Sequence, residues 1–136
     1  MRTPARARTL HRAKSTIFVR KSEQFLRSAD FATERGDWDA AVSSAVHAAI
    51  SIADALTVFY LGERSASQDH RYVLRLLETI RSEPTELLKN KRHLSSLLAT
   101  KDAAEYGERL LNEADAVAAL EHCMRFCRWA NSKLPS

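Results

Sequence analysis

Hydrophobic residues recur along the chain at steps of three and four, the spacing that places side chains on one face of an α-helix. The longest such run extends from Trp38 to Leu61, and a second row on the same segment consists of the small residues Ala41, Ala48 and Ala55. It predicts a central helix that is apolar around much of its circumference. Shorter runs predict further helices that begin near residues 15, 69, 84 and 112. Because the connections between these runs are short, the pattern predicts an all-α, antiparallel bundle of about five helices.

The predicted helix boundaries coincide with residues that favour helix ends. Gly36 can adopt the left-handed conformation that ends the first helix, and Asp37 can accept hydrogen bonds from the first N–H groups of the second. Asp69 and Asn112 are predicted to cap the third and fifth helices, and Gly107 to end or bend the fourth. A chain of 136 residues with these boundaries fits one domain.

Positive charge is concentrated at the N-terminus. Residues 1–21 carry seven lysines and arginines and no acidic residue, and since the whole chain carries +4, the remainder must carry −3. We expect residues 1–14, which have few apolar positions, to form a mobile basic arm ahead of a bundle over residues 15–136. The arm is either a tail without function or a contact for RNA or DNA phosphates, and the candidate cations are Arg2, Arg6, Arg8, Arg12 and Lys14.

The remaining composition favours a cytoplasmic protein without a cofactor. Cys123 and Cys127 are the only cysteines, and nothing else indicates an oxidising compartment. Their spacing of four on an apolar helix face indicates core residues, because a zinc site needs four ligands and no second pair is present. Without a second pair of ligands, no metal is expected as a partner. No uninterrupted apolar run reaches the length of a membrane span, so no membrane is expected as a partner either.

His47 and Asp54 lie seven residues apart on the predicted central helix, and therefore on a similar face. If both are buried, they can form a polar site inside the bundle. If both are exposed, they belong to the wetted edge of the helix, which is the commoner situation for polar residues.

Two segments resemble a known family. In GDWDAAVSSAVHAAISIADALTVFYLGERSASQDH, acidic and aromatic residues after a helix break lead into an alanine-rich helix, a glycine loop and a histidine. In LSSLLATKDAAEYGERLLNEADAVAALEHCMRFCRWA, a basic residue and a tyrosine precede a loop and an alanine-rich last helix. Together these segments resemble the HEPN domain family of helical bundles, over roughly residues 16–132.

The resemblance implies a dimer, and many members of that family are metal-independent ribonucleases, often paired with a nucleotidyltransferase. Their site uses an arginine followed four to six residues later by a histidine. The arginine would stabilise charge on the scissile phosphate, and the histidine would move a proton at the 2′-hydroxyl. At the matching place this sequence has Lys101 and Tyr106 but no histidine. Lysine lacks the planar fork that holds a phosphate on two oxygens.

The family's spacing also occurs at Arg6 with His11 and at Arg64 with His70, about as often as chance predicts in a chain of this composition. The leading hypothesis is therefore a non-catalytic, dimeric HEPN-like interaction module that binds RNA or a protein such as a nucleotidyltransferase, in a toxin–antitoxin or defence-like system. An alternative is a nucleotide- or small-ligand-binding bundle, although the sequence shows no phosphate-binding glycine loop. The second main hypothesis is a metal-independent endoribonuclease with a rearranged site, for which the candidate residues are Arg64, His70, Lys101 and Tyr106.

Overall fold

A computed structural model describes residues 7–66, 71–80 and 84–135. Five α-helices account for most of this part of the chain, and they confirm the predicted all-α bundle. They are α1 Ser15–Arg35, α2 Trp38–Leu61, α3 Tyr72–Glu78, α4 Pro84–Tyr106 and α5 Glu113–Ser132. A short 3-10 turn precedes α1, and two three-residue strands, β1 Ala7–Thr9 and β2 Glu63–Ser65, pair in antiparallel fashion.

The central position of α2 follows from its composition. Small side chains such as Ala45 and Ala48 are fully buried and let neighbouring backbones approach closely, and α2 packs against α1, α4 and α5. Its larger apolar side chains, among them Ile52 and Leu56, fill the core between these helices. Each such side chain contributes roughly 1.5–3 kcal/mol when it leaves water. The hydrophobic core of the protein is therefore built around this helix.

Within the described residues, α2 is also the one helix long and apolar enough to cross a membrane by length and composition. The sequence analysis predicted no membrane span here, because Ser51, Asp54 and Thr57 interrupt the apolar run of α2. In its most apolar window, 78% of the helix is buried inside the bundle. The packing of the other helices therefore accounts for its apolar surface.

Several predicted helix ends are confirmed. Gly36 and Gly62 follow α1 and α2 with φ angles of 75° and 68°, a conformation that only glycine adopts without strain. Asn112 caps α5 by accepting a hydrogen bond from the Asp115 N–H, and the Asp115 carboxylate accepts one from the Asn112 N–H in return. This reciprocal pair is a capping box, which satisfies two otherwise unpaired donors.

The predicted capping role of Asp37 is wrong. Its side chain accepts no hydrogen bond from α2 and lies instead 3.5 Å from Nε of Arg35. The reason is the tightness of the turn, in which the Asp37 N–H donates to the carbonyl of Ala32 and thereby closes the end of α1. This bond holds Asp37 at φ −86° and ψ 77°, outside the extended conformation that a capping residue needs. The other predicted cap, Asp69, lies outside the described residues.

The described part of the basic arm packs against the bundle. Strand β1 pairs with β2 so that Arg8 stands opposite Arg64, and the guanidinium of Arg12 lies 4.1 Å from the ring centroid of Phe59. The sequence did not predict this ribbon, because strands of three residues are too short to show an alternating pattern. The first six residues lie outside the described part. The division after residue 14 and the mobility of the arm stay predictions.

Candidate functional site

Lys101 and Tyr106, the candidate residues that the sequence resemblance suggested, lie on the last turns of α4. Nζ of Lys101 forms an ion pair with Oε2 of Glu105 at 2.9 Å, and the Lys101 side chain is only 14% exposed. The ring of Tyr106, in contrast, is 79% exposed. The adjacent carboxylate of Asp102 is paired with Arg71 at 3.0 Å. The positive charge at this position is therefore already neutralised by a neighbour on the same helix.

Of the second candidate pair, Arg64 and His70, only Arg64 belongs to the described residues. Arg64 lies on β2, directly after the central helix, whereas His70 lies outside the described residues. The catalytic pairing of these two residues therefore stays a prediction. Arg64 instead forms an ion pair with Asp54, in which Nε of Arg64 lies 3.3 Å from Oδ2 of Asp54.

This ion pair lies in a cleft of about 440 Å³ between α1, α2 and β2. The helical spacing explains how the lining is assembled: Phe18, Lys21 and Phe25 share one face of α1, and His47, Ser51 and Asp54 share the facing side of α2. We name it the Asp54 cleft. Its polar lining residues are Lys21, Gln24, Ser28, His47, Ser51, Asp54 and Arg64.

Asp54 is the most unusual residue of the cleft, because a carboxyl group is rarely buried without full pairing. It is only 4% exposed, and its Oδ1 atom has no hydrogen-bond partner within the described residues. Burial raises the pKa of the Asp54 carboxyl to about 6, although the positive charges of Arg64 and Lys21 oppose that rise. A strongly perturbed acid in a cleft is typical of functional sites.

The positive charges of the cleft gather around one aromatic ring. The guanidinium carbon of Arg64 lies 4.9 Å from the ring centroid of Phe18, and Nζ of Lys21 lies 5.5 Å from the same centroid. Beside them, Phe25 stacks on His47 with a centroid distance of 5.2 Å. The sequence expectation that His47 and Asp54 share a face is confirmed, but Asp54 is buried rather than part of a wetted edge.

The sequence analysis did not predict that Lys21 lines this cleft or that Asp54 and Arg64 form an ion pair. The signal available was weak: an aspartate in an otherwise apolar run, seven residues after a histidine. Nothing in the sequence indicates that Arg64 folds back to reach it, because that contact depends on the turn at Gly62 and the short strand that follows.

The cations of the basic arm are not assembled into one described surface. The Arg12 side chain lies on Phe59, and Lys14 is exposed at the N-terminal end of α1. Arg8 contributes its backbone to β1, and Arg2 and Arg6 lie outside the described residues. Phosphate binding by the arm stays a prediction.

Two further clusters of titratable side chains lie elsewhere in the bundle. His93 of α4 and His122 of α5 approach to 2.9 Å between their Nδ1 atoms, and burial together with the positive charge of neighbours lowers the pKa of His93. Cys123 and Cys127 are buried free thiols, as expected for core residues. In the described part of the chain, no group of three or more His, Cys, Asp or Glu side chains is arranged to hold a metal ion.

The architecture defines the class of protein: an all-α bundle around one long central helix, with short connections between its neighbours. Within that class, the family model of the HEPN domain matches residues 15–133, which include all five helices. The chain belongs to the HEPN domain family. No curated protein sequence is significantly similar to it.

Proposed function

We propose that this chain is a non-catalytic HEPN interaction module of the cytoplasm, which forms a homodimer and binds a protein or RNA partner. A partner such as a nucleotidyltransferase, in a toxin–antitoxin or defence-like system, fits this function. The observation that carries the proposal is the state of Lys101, which stands where ribonucleases of the family have their arginine. The Lys101 ammonium is paired with Glu105, and the Lys101 side chain as a whole is largely buried.

The pairing matters because the negative charge of Glu105 offsets the positive charge that would attract a substrate phosphate to Lys101. An ammonium group also binds a phosphate as a point charge, without the bidentate geometry of arginine. No histidine follows Lys101 within the family's spacing, so the histidine that would transfer the proton is missing at that position. These features favour binding over cleavage.

Dimer formation is supported by the family and by the surface of α5. HEPN domains commonly dimerise. On α5, Val117 and Met124 lie two turns apart and expose about half of their surfaces, with the half-buried Leu120 between them. These three residues form an apolar stripe on the outside of the bundle. We propose this stripe as part of the dimer interface.

The Asp54 cleft favours a second candidate function, a metal-independent endoribonuclease with a rearranged site. A carboxyl group with a pKa of about 6 can accept or donate a proton near neutral pH, and Arg64 beside it can stabilise negative charge. In this alternative Arg64 and His70, or Lys101 and Tyr106, would act on the scissile phosphate. The proposed role of His70 rests on the sequence alone.

The two functions are separated by incubating labelled RNA with the purified full chain in EDTA. We expect intact RNA, shifted in the gel where RNA is the partner. Cleavage that disappears in Arg64→Ala or His70→Ala, but persists in the control Lys89→Ala, would contradict the non-catalytic proposal. The control replaces an exposed lysine of α4 away from both candidate positions.

A further inference from the structure

The Asp54 cleft brings two cations together against a single carboxylate. Lys21 comes from α1 and Arg64 from β2, and both lie within 5.5 Å of the centroid of Phe18. Within the described residues Lys21 forms no ion pair, and the one anionic partner of Arg64 is Asp54. Like charges that converge without enough counter-charge attract an anion from solution.

Arg64 retains donors for such an anion. It contacts Asp54 through Nε, and its two terminal nitrogens have no hydrogen-bond partner in the described part of the chain. A guanidinium has five N–H donors, so most of them stay available beside the ion pair. The side chain is about one-third exposed, which leaves its end accessible from the cleft. Asp54 therefore positions Arg64 while leaving its terminal donors uncommitted.

The size and the walls of the cleft limit the occupant. A volume of about 440 Å³ lies at the small end of the range for ligand pockets. Both aromatic rings already make contacts within the protein, because Phe25 stacks on His47 and the two cations approach the Phe18 ring. The cleft thus offers cationic donors and polar groups rather than a platform on which a base would stack.

We propose that the Asp54 cleft binds a small phosphate-bearing compound, whose phosphate oxygens accept hydrogen bonds from the terminal nitrogens of Arg64 and from Nζ of Lys21. Asp54 acts as a positioning residue, which fixes the guanidinium but also weakens its attraction for the anion. This ligand site goes beyond the proposed interaction function and does not depend on it, since it lies within one copy of the chain.

The test is calorimetric titration of the full chain with inorganic phosphate at pH 7.5 and constant ionic strength. Lys21→Ala and Arg64→Ala should each weaken binding about tenfold or more, because each removes a charged hydrogen-bond donor. Arg20→Ala is the matched control, as it removes a neighbouring exposed cation that does not line the cleft. It should leave the affinity unchanged.

Asp54→Asn gives the most specific result. Removing the carboxylate charge frees Arg64, so phosphate should bind about tenfold more tightly than to the unmodified chain. Arg64→Lys keeps the positive charge but loses the planar guanidinium, which can donate to two phosphate oxygens at once. This variant should bind phosphate more weakly than the unmodified chain and more tightly than Arg64→Ala. A circular dichroism spectrum of each variant checks that the helices are intact.

Three outcomes would overturn the proposal. The first is an unchanged affinity in both Lys21→Ala and Arg64→Ala, and the second is an equal loss in Arg20→Ala, which would indicate diffuse binding to a basic surface. The third is the absence of phosphate binding at millimolar concentrations in both the unmodified chain and Asp54→Asn. In a competition arm, glycerol phosphate should displace phosphate, whereas displacement only by RNA without a terminal phosphate would indicate a nucleic-acid contact instead.

Discussion

The two sides of the central helix α2 are built on different principles. Towards α5 the contact is apolar and closed: the thiol of Cys123 donates to the carbonyl of Ala45 at 3.3 Å, and Phe126 is fully buried on the same face of α5. Towards α1 and β2, the same helix presents Asp54 and a cleft. One side is filled with apolar side chains, and the other holds a buried carboxylate beside two cations, one of which is its ion-pair partner.

Burial therefore has opposite effects on the free energy of folding on the two sides of α2. A buried phenylalanine gains free energy from leaving water, whereas a buried carboxylate loses hydration that one ion pair does not fully restore. The raised pKa of Asp54 shows that this loss is larger than the gain from Arg64 and Lys21. The buried carboxylate on the cleft side therefore lowers the stability of the fold, and we expect ligand binding on this side rather than on the closed side.

The largest expected effect is on the closed side. Phe126→Ala should lower the free energy of unfolding by about 3–5 kcal/mol, because it removes buried surface and leaves a cavity. Urea denaturation followed by circular dichroism measures this loss. Phe31→Ala is the matched control, since the Phe31 ring is 62% exposed, and it should change stability by less than about 1 kcal/mol. Equal losses in the two variants would show that the closed side does not dominate stability.

On the cleft side, Asp54→Asn should stabilise the protein at pH 8, by about 3 kcal/mol. The pKa of Asp54 is raised from 3.8 to about 6 in the folded protein, so the folded state binds this proton more tightly than the unfolded chain. The stability that the proton provides is complete below the unfolded pKa and is lost as the pH rises through about 6.

Urea denaturation of Asp54→Asn and the unmodified chain between pH 4 and 8 measures this dependence. The two stabilities should be similar near pH 4, diverge as the pH rises through about 6, and differ by a constant amount at higher pH. Asp102→Asn serves as the control, since Asp102 is exposed and paired with Arg71 at the surface. Parallel curves for Asp54→Asn and the unmodified chain would contradict the assigned cost of the buried carboxylate.

The smallest expected effect separates the cleft from the rest of the α1–α2 contact. The buried Ser22 hydroxyl donates to the carbonyl of Ala48 at 2.8 Å, so Ser22→Ala should cost about 1 kcal/mol. Ser28→Ala, on the same helix at the edge of the cleft, should be neutral in urea denaturation. A larger loss in Ser28→Ala would mean that the cleft wall, rather than the Ser22 contact, holds α1 in place.

Much of the fold was predictable because it depends on local order. The period of apolar residues predicted α2 from Trp38 to Leu61, and the end residues Gly36 and Asn112 were placed correctly. The capping role of Asp37 could not be predicted, since its backbone is committed to the end of α1. The β1–β2 ribbon was missed because its strands are too short for a pattern.

The candidate site was predictable only in fragments. Arg64 was singled out for its distance from His70 in the sequence, but the structure gives it a different partner, Asp54. Lys21 had no distinguishing feature in a run of exposed basic and polar residues. A cluster drawn from three elements has no fixed spacing, so no sequence pattern could have predicted it.

The sequence by itself determined the helices, most of their ends and the family, because hydrophobic periodicity and glycine conformation act over a few residues of chain. Only the tertiary structure decided that Asp54 is buried, that Arg64 reaches it from β2, and that Lys21 faces both across the cleft. Burial and charge–charge distance depend on how the helices pack, and these quantities raise the pKa of Asp54 and bring the charged residues of the cleft together.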